Sequence, residues 1–501
     1  MAMMDTAREG MPTREGDLSI ESHGMEPIPD SARYGSVNRI FTVWFTPNLV
    51  PAAFFIGTLV TASFLKLGFT TAILSVIVGN LVGSFFVALL STMGPKLGLA
   101  QMPAARLPFG KSIAVPGLLN WLSTIGWDGI NSVFGAVALT LLIPGLPFIV
   151  GLIVIVACQA ALGILGYEAI HTFEKWGALV LGAMFVVLTV VILGKADTSF
   201  TDGFSGADQI GAFIGMVAIV AAFVLAWALY ASDYSRYLPA NASTSKVFWY
   251  TLGGMALASA WLEILGVLVA TKATGGESSD TIYALLGGSG AVMAGLAMVA
   301  IFIGTIAVNA MNDYTGSLSL QAAGFKVKRV YSAAVVAVLG FLFTLVLQYG
   351  FGYFVGKPQS GEFAGNFINF ILFISYWISA FVGVVLADWW LRGQKADANS
   401  VVDFGKLPSG VIGLLALVAG FAVGIPFQNS TLGYSWGGPF NFITANSLHG
   451  ADLAYYVGGA AAFLIYWIGT RRGWIAGLLV AVLLVVADVV ALFVLGYHIG
   501  T

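Results

Sequence analysis

The sequence predicts an all-α protein that crosses a membrane twelve or thirteen times. Hydrophobic residues make up 58% of its 501 residues and charged residues only 9%, whereas soluble domains carry about 25% charged residues. A helix needs about 20 apolar residues to cross a hydrocarbon layer about 30 Å thick. Such stretches follow one another from Ile40 to Tyr497. We therefore expect most of the chain to lie in lipid, which excludes a soluble enzyme.

Thirteen apolar segments are separated by short polar connections. Their predicted bounds are 40–65, 69–93, 117–143, 146–166, 174–194, 210–232, 246–271, 290–323, 330–349, 366–391, 408–427, 453–470 and 474–497. Small residues spaced four apart, such as Gly79 with Gly83 and Gly211 with Gly215, predict close contacts between helices.

The distribution of basic residues predicts the orientation. If residues 1–39 form a cytoplasmic tail, 18 of the 22 lysines and arginines fall on the cytoplasmic side, and only Lys66, Lys195, Lys272 and Lys357 fall outside. The polar tail is unlike a signal peptide. We expect a multi-pass protein of the plasma membrane with its N-terminus inside, and its C-terminus outside if the thirteenth segment spans.

Other features argue against several partners and sites. The net charge is −2 and no basic patch is present, so we expect no nucleic-acid partner. The four histidines are scattered, and we expect no metal site and no cofactor. The single cysteine, Cys158, lies in an apolar run and is expected to be buried packing. Apart from the lipid bilayer, no obligate protein partner is evident.

Proline interrupts the first segment, which reads VWFTPNLVPAAFFIG. Pro47 and Pro51 each remove a backbone donor from the helix, and we expect a break near Thr46 to Asn48. Unpaired backbone groups and these two side chains would then suit an ion or a polar ligand at the bilayer midplane. The alternative is a proline kink that neighbouring helices repair, and the two interpretations are equally weighted.

The third segment carries a polar stripe. Asn120, Thr124, Trp127 and Asn131 follow at intervals of four, three and four, so they share one helix face. An indole beside an amide suits a flat ligand that forms hydrogen bonds. Asp128 lies one residue off this stripe, either as a buried proton carrier or, as we slightly prefer, as the partner of another polar group.

Polar groups also mark the sixth and eighth segments. Trp227 in the sixth is a second stacking platform or an interfacial tryptophan. In the eighth, one helix face carries Thr305, Asn309, Asn312, Asp313 and Gly316. For this set we favour a binding role over interhelical hydrogen bonding alone. Glu263 and Asp488 are isolated acids with no obvious partner.

In their order along the chain, these motifs resemble the nucleobase-cation symporters, a family of cytosine, purine, uracil, allantoin, hydantoin and thiamine permeases. The resemblance covers roughly residues 21–470 and is closest to the purine-cytosine branch. It rests on the run from Gly24 to Pro29, WFTPN in the first segment, the Trp127 and Asn131 pair, GYEAIHTFEKWG, WALYASDYSRYLP, the asparagines of the eighth segment and ADWW at the end of the tenth.

The resemblance implies a leucine-transporter-like fold. Two inverted repeats of five helices would span residues 40–194 and 210–391, with the first and sixth helices interrupted at the site. Residues 408–497 would form peripheral helices. A thirteenth segment exceeds the twelve usual in the family.

The resemblance also implies a site and a function. Trp127 and Trp227 would sandwich a planar ring, Thr46 and Asn48 would lie beside it, and the edge would be read by Asn131, Asn309, Asn312 and Asp313. Glu174 matches an acidic residue important in purine-cytosine members. The implied function is uptake of cytosine or purines by symport with alternating access. Alternatives are another planar heterocycle in the same fold, or, from another class, a channel or a membrane enzyme.

The expected coupling ion depends on one difference between this sequence and the family pattern. Sodium-coupled relatives place hydroxyl side chains just before the first asparagine of the eighth segment, where this chain has Ala307 and Val308. We therefore expect proton coupling rather than sodium coupling, with Asp313 or Glu174 as the proton carrier.

Overall fold

The thirteen predicted segments all coincide with helices. The computed structural model describes residues 24–272, 282–284, 291–350, 363–428, 443–444 and 448–494, and the regular structure in this part is helical. The first 23 residues of the predicted tail, Lys357 and the end of the last segment lie outside it. The helices are α1 (Asn38–Phe45 and Pro51–Thr58), α2 (Phe69–Ser91), α3 (Ala114–Leu142), α4 (Phe148–Leu165), α5 (Tyr167–Leu193), α6 (Gly206–Leu225), α7 (Thr244–Leu268), α8 (Ala291–Ala322), α9 (Arg329–Tyr349), α10 (Phe363–Leu391), α11 (Val411–Gly424), α12 (Ala454–Arg472) and α13 (Trp474–Val494).

Most of these helices can cross a membrane. In the described part of the chain, ten are long and apolar enough to do so alone, and the two halves of α1 together make an eleventh. α11, extended by a 3₁₀ turn at Ile425–Phe427, is a shorter apolar helix, and α12 has 19 residues.

Two helices are broken, and the break predicted in the first segment is confirmed. The halves of α1 meet at an angle of 60° across a 3₁₀ turn at Thr46–Asn48, after which Val50 is extended. In α6 the α-helix ends at Leu225 and continues as a 3₁₀ stretch at Ala226–Tyr230. Both breaks leave backbone groups outside the regular helical pattern, at the same place in the bundle.

α5 begins earlier than the predicted bound of 174. Glu168, His171 and Glu174 lower the hydropathy of this stretch, but all three are buried within the protein rather than facing lipid. Arg39 from α1 donates a hydrogen bond to the His171 ring and lies 3.8 Å from the Glu168 carboxylate. The helix can therefore extend because protein groups replace the missing water.

Short elements connect the long helices. Arg106 is almost fully buried and donates to the carbonyls of Ala322 and Val401 at 3.0 and 2.8 Å, which joins this region to the end of α8 and to the connection after α10. The short helices are Met93–Leu97, Gln101–Ala104 and Arg106–Phe109, and the 3₁₀ turns are Asp30–Ala32, Leu59–Thr61, Gly110–Ile113, Ala270–Lys272, Ala398–Val401 and Phe404–Lys406.

The segment before α1 is packed against the bundle. The Ile28 amide donates to the Gly98 carbonyl at 2.9 Å, and the Tyr34 amide donates to the Tyr237 carbonyl at 2.8 Å. Arg33 donates to the Pro95 carbonyl at 2.6 Å, and Arg236 donates to the Gly24 carbonyl at 3.1 Å. Residues 24–37 therefore lie across the ends of several helices.

Two expectations about single residues are wrong. Cys158 is exposed on the surface of α4 rather than buried, because α4 turns much of its surface outward. Glu263 has a partner, since the Asn80 amide of α2 donates a hydrogen bond to its carboxylate. Sequence spacing could not reveal this pair, because α2 and α7 meet only in the folded bundle.

Glycines allow α2 to lie directly against α6. A Cβ at Gly79 would come within 2.6 Å of the Val220 side chain, and one at Gly83 within 2.7 Å of the Ala221 carbonyl oxygen. The predicted close approach is therefore confirmed for this pair.

We expect Gly79→Leu to destabilise the protein, because overpacking a filled contact costs about 1–3 kcal/mol. The measurement is the midpoint of thermal unfolding of the purified protein in detergent. Gly182→Leu in α5 is the matched control, since no heavy atom lies within 4 Å of its added Cβ. Equal midpoints for the two variants would contradict this packing.

Candidate functional site

A small cavity lies where the breaks of α1 and α6 face α3 and α8. It encloses about 20 Å³ in which the centre of a water molecule can move, which is room for water but not for a planar heterocycle. The cavity is lined by Pro47, Val50, Trp127, Asn131, Phe223, Ala226, Trp227, Tyr230, Val308 and Asn312. It therefore combines aromatic surfaces with a few amide and hydroxyl groups.

Aromatic neighbours hold the two indoles in place. Trp127 packs edge-on against Phe223 and Phe370, with ring centroids 5.8 and 5.4 Å away. Trp227 makes a similar contact with Tyr230 at 5.1 Å. Because each indole is fixed from the side, its face can be directed toward the cavity.

Asn48 connects the break of α1 to α6 and α7. Its side-chain oxygen accepts hydrogen bonds from the Trp227 indole at 3.1 Å and from the Ser259 hydroxyl at 3.0 Å, while its amide donates to the Trp44 carbonyl at 2.7 Å. The 3₁₀ turn in α1 therefore sets the position of Trp227.

Thr46 and Glu174 form a second contact at this break. The Thr46 hydroxyl donates to the Glu174 backbone carbonyl at 2.8 Å, which joins α1 to α5. The Glu174 carboxyl is completely buried beside Thr46. It lies outside the cavity lining.

Asn309 is the centre of the polar network behind the cavity. Its side-chain oxygen accepts from Asn131 at 3.1 Å and from Asn312 at 3.4 Å. Its amide donates to Gln159 at 2.6 Å and to Ser132 at 3.0 Å, and also to the Asp128 backbone carbonyl at 3.2 Å. This one side chain therefore joins α3, α4 and α8.

The network continues in two directions. Toward the cavity, the Tyr230 hydroxyl donates to the Asn312 side-chain oxygen at 2.8 Å. Away from it, the Gln159 amide donates to the Asp128 carboxyl at 3.2 Å, and the Asp313 carboxyl lies beside that of Asp128.

The structure divides the sequence-predicted residues into two groups. One cavity is lined by Trp127, Asn131, Trp227 and Asn312. The others lie behind its wall or farther away, namely Thr46, Asn48, Asn309, Asp313 and Glu174. Their roles toward a ligand stay predictions.

Sequence reasoning missed Tyr230 and Gln159. Tyr230 follows Trp227 by three residues, so helical spacing would have placed both on neighbouring faces. Gln159 is the one amide in the otherwise apolar run FIVGLIVIVACQAALGIL. A polar side chain at membrane depth is costly unless it is paired. Its presence in an apolar segment could therefore have indicated a buried polar contact.

We expect Asn309→Leu to lower the thermal unfolding midpoint more than Asn131→Leu. The first substitution removes five hydrogen bonds and the second removes one of these five. Each buried polar group left without a partner costs about 1–3 kcal/mol. The midpoint is measured on protein purified in detergent, and a smaller loss for Asn309→Leu would refute its central position.

The chain is similar in sequence to known proteins over most of its length. The protein YxlA of Bacillus subtilis is 29% identical over 462 residues, which cover 90% of this chain and 96% of that protein. The purine-cytosine permease fcyB of Emericella nidulans is 29% identical over 466 residues, covering 90% of this chain and 88% of that protein. Both alignments therefore cover nine-tenths of this chain.

A solved structure confirms the predicted fold class. MHP1, a nucleobase-cation-symport-1 family transporter solved closed with bromovinylhydantoin bound, has a TM-score of 0.70 at 18% identity, covering 91% of this chain and 96% of that one. The fold is therefore leucine-transporter-like. A family model also matches residues 27–458. The chain belongs to the family of permeases for cytosine and purines, uracil, thiamine and allantoin.

Proposed function

We propose that this protein imports cytosine or purines together with protons. The observation that carries the proposal is the cavity, in which two indoles and two carboxamides meet at the breaks of α1 and α6. It is supported by the relatives, since fcyB of Emericella nidulans and FCY21 of Saccharomyces cerevisiae are both named purine-cytosine permeases.

The chemistry of the lining suits a nucleobase. Such a base has two π-faces and an edge of alternating hydrogen-bond donors and acceptors. Trp127 and Trp227 would stack on its faces. Asn131 and Asn312 could each donate or accept a hydrogen bond at its edge. Leaving a buried polar group unpaired is costly, so the edge contacts would select the base. Tyr230 adds a hydroxyl that is already directed at Asn312.

Alternating access is the proposed mode of transport, and the small size of the cavity supports it. A base fits only if the lining side chains move apart, and Trp227 is tied to α1 through Asn48. Movement of the broken helices would therefore open the site. The relative MHP1 has been solved both closed and inward-facing. A substrate that binds one conformation more tightly shifts the population toward it.

Protons are the proposed coupling ion. Ala307 and Val308 supply no side-chain oxygen where sodium-coupled relatives carry hydroxyls. Two buried carboxyls, Asp313 and Glu174, are available to bind a proton instead. Glu174 lies at the break of α1 and Asp313 behind the wall of the cavity.

We expect cells that lack their own permeases to accumulate radiolabelled cytosine, adenine or hypoxanthine when they express this protein. A protonophore should abolish accumulation, and replacing external sodium at fixed pH should not. Competition by unlabelled uracil, allantoin, hydantoin and thiamine separates the alternative substrates. Uptake that follows the sodium gradient would overturn proton coupling.

Trp127→Ala should raise the KM for the transported base by roughly 5- to 150-fold, because aromatic stacking is worth about 1–3 kcal/mol per base. The control is Trp176→Ala in α5, whose side chain faces outward with 63% of its surface exposed. An unchanged KM for Trp127→Ala would remove this residue from the binding site.

The orientation can be tested with two single cysteines in a Cys158→Ser background. Ser199 lies in the connection after α5 and Ser400 in the connection after α10, and both are exposed. With the N-terminus inside, a maleimide that cannot cross the membrane should label Ser199→Cys in intact cells, and Ser400→Cys only after lysis. The opposite pattern would invert the topology.

A further inference from the structure

Two buried carboxyls face each other between α3 and α8. Asp128 and Asp313 are both 0% exposed and lie within interacting distance of each other. A Cβ added to Gly340 of α9 would lie 2.7 Å from the Asp128 Cβ, and one added to Gly163 of α4 would lie 2.7 Å from the Asp313 Cβ. Glycines on two helices therefore let the backbone close over both carboxyls.

Such a pair cannot hold two negative charges at low cost. Like charges in a medium of low dielectric repel strongly, and a neighbouring carboxylate favours the protonated form of its partner. Two carboxyls that share one proton are one arrangement that avoids this cost.

Groups from every surrounding helix face the pair. Gln159 of α4 donates to Asp128, and Asn312 of α8 lies beside the same carboxyl. Tyr230 approaches from the break of α6, close enough to interact with both acids. On α9, the Arg329 guanidinium donates to the carbonyls of Gly163 and Ile164 at 2.9 and 2.8 Å, and Gly163 packs against Asp313.

The amides between this pair and the cavity have a defined polarity. Gln159 donates to Asp128 and accepts from Asn309. Asn309 in turn accepts from Asn131 and Asn312, which line the cavity. Carboxamides have a donor end and an acceptor end. Reversing the first amide would therefore require the next ones to reverse as well.

We propose that Asp128 and Asp313 form one proton-binding unit whose protonation state sets the hydrogen-bond polarity of the substrate cavity through Gln159 and Asn309. This inference rests on the proposed function. The unit alternates between one shared proton and two, and the second proton enters from outside and leaves to the cytoplasm. No covalent bond other than O–H forms or breaks.

Gln159 and Asn309 act as a relay, which transmits the protonation state of the carboxyl pair to the cavity by rotation of their side-chain amides. When a proton binds the Asp128 oxygen that faces Gln159, this oxygen becomes a donor and Gln159 turns its carbonyl toward it. Asn309 then receives the Gln159 amide and presents its own oxygen, so its amide gives up the hydrogen bond to the Asp128 backbone carbonyl. The Ser132 hydroxyl can donate or accept in either state. The Asn309 amide now faces Asn131 and Asn312, so these two turn their own amide groups toward the cavity.

The first test needs no substrate. Infrared difference spectra of the purified full chain, recorded as the pH is changed, report the carbonyl stretch of protonated carboxyls. Asp128→Asn and Asp313→Asn should each alter the same band, and the double variant should lack it. Asp488→Asn in α13 is the matched control and should leave the band unchanged. A band that responds to only one of the two single substitutions would refute the shared unit.

The second test measures transport in proteoliposomes with the base that the wild-type protein takes up. The double variant should lose accumulation driven by a pH gradient, while exchange of labelled for unlabelled base at equal pH falls far less. Each single variant should change the pH of half-maximal uptake, because the remaining carboxylate no longer shares a proton with a neighbouring carboxyl.

Gln159→Leu isolates the relay. It should keep a pH-dependent carboxyl band, shifted because Asp128 loses its hydrogen bond from Gln159, but make base exchange independent of pH. Exchange that keeps the wild-type pH dependence in this variant would overturn the relay, and accumulation that survives in the double variant would overturn the proton-binding unit. A wild-type protein that carries no base but shows the pair's band would instead reject the proposed function alone.

Discussion

The architecture of this protein depends on the cost of placing polar groups where no water can reach them. A buried polar group without a partner costs several times what a satisfied hydrogen bond contributes. The bundle therefore brings its amides together, and Asn309 meets this requirement for three helices at once. If one of these helices moves, its partners must follow or lose their hydrogen bonds. The same constraint that fixes the fold thus makes the site respond as a unit.

A second consequence concerns the two broken helices. Asn48 accepts a hydrogen bond from Trp227 and from Ser259, so the turn in α1 is bonded directly to α6 and α7. Helices interrupted by proline normally recover their lost hydrogen bonds from neighbours. Here the Asn48 side chain binds the Trp44 carbonyl and also accepts a hydrogen bond from Trp227, which borders the cavity. The turn in the first segment can therefore be both a repaired proline kink and a binding position.

The sequence revealed those features that depend on local spacing and composition. The helical segments, the break at Thr46 to Asn48 and the stripe with Trp127 and Asn131 follow from hydropathy, proline and helical periodicity. Features that depend on contacts between distant segments could not be predicted. The spacing of residues in the sequence does not indicate that Asn80 pairs with Glu263 or that Asp128 lies beside Asp313. The outward position of Cys158 depends on which face of α4 meets the bundle, and Gln159 is the one amide in this helix that marks the inward face.

The packed segment before α1 limits how the chain can be altered. Residues 24–37 are bonded to the backbone at Pro95, Gly98 and Tyr237, and Arg236 holds Gly24 from the opposite side. A truncation that begins after residue 37 would expose carbonyls that are now satisfied by guanidinium and amide donors. For expression and engineering, a shortened chain should therefore keep residues 24–37 rather than begin at the first apolar residue.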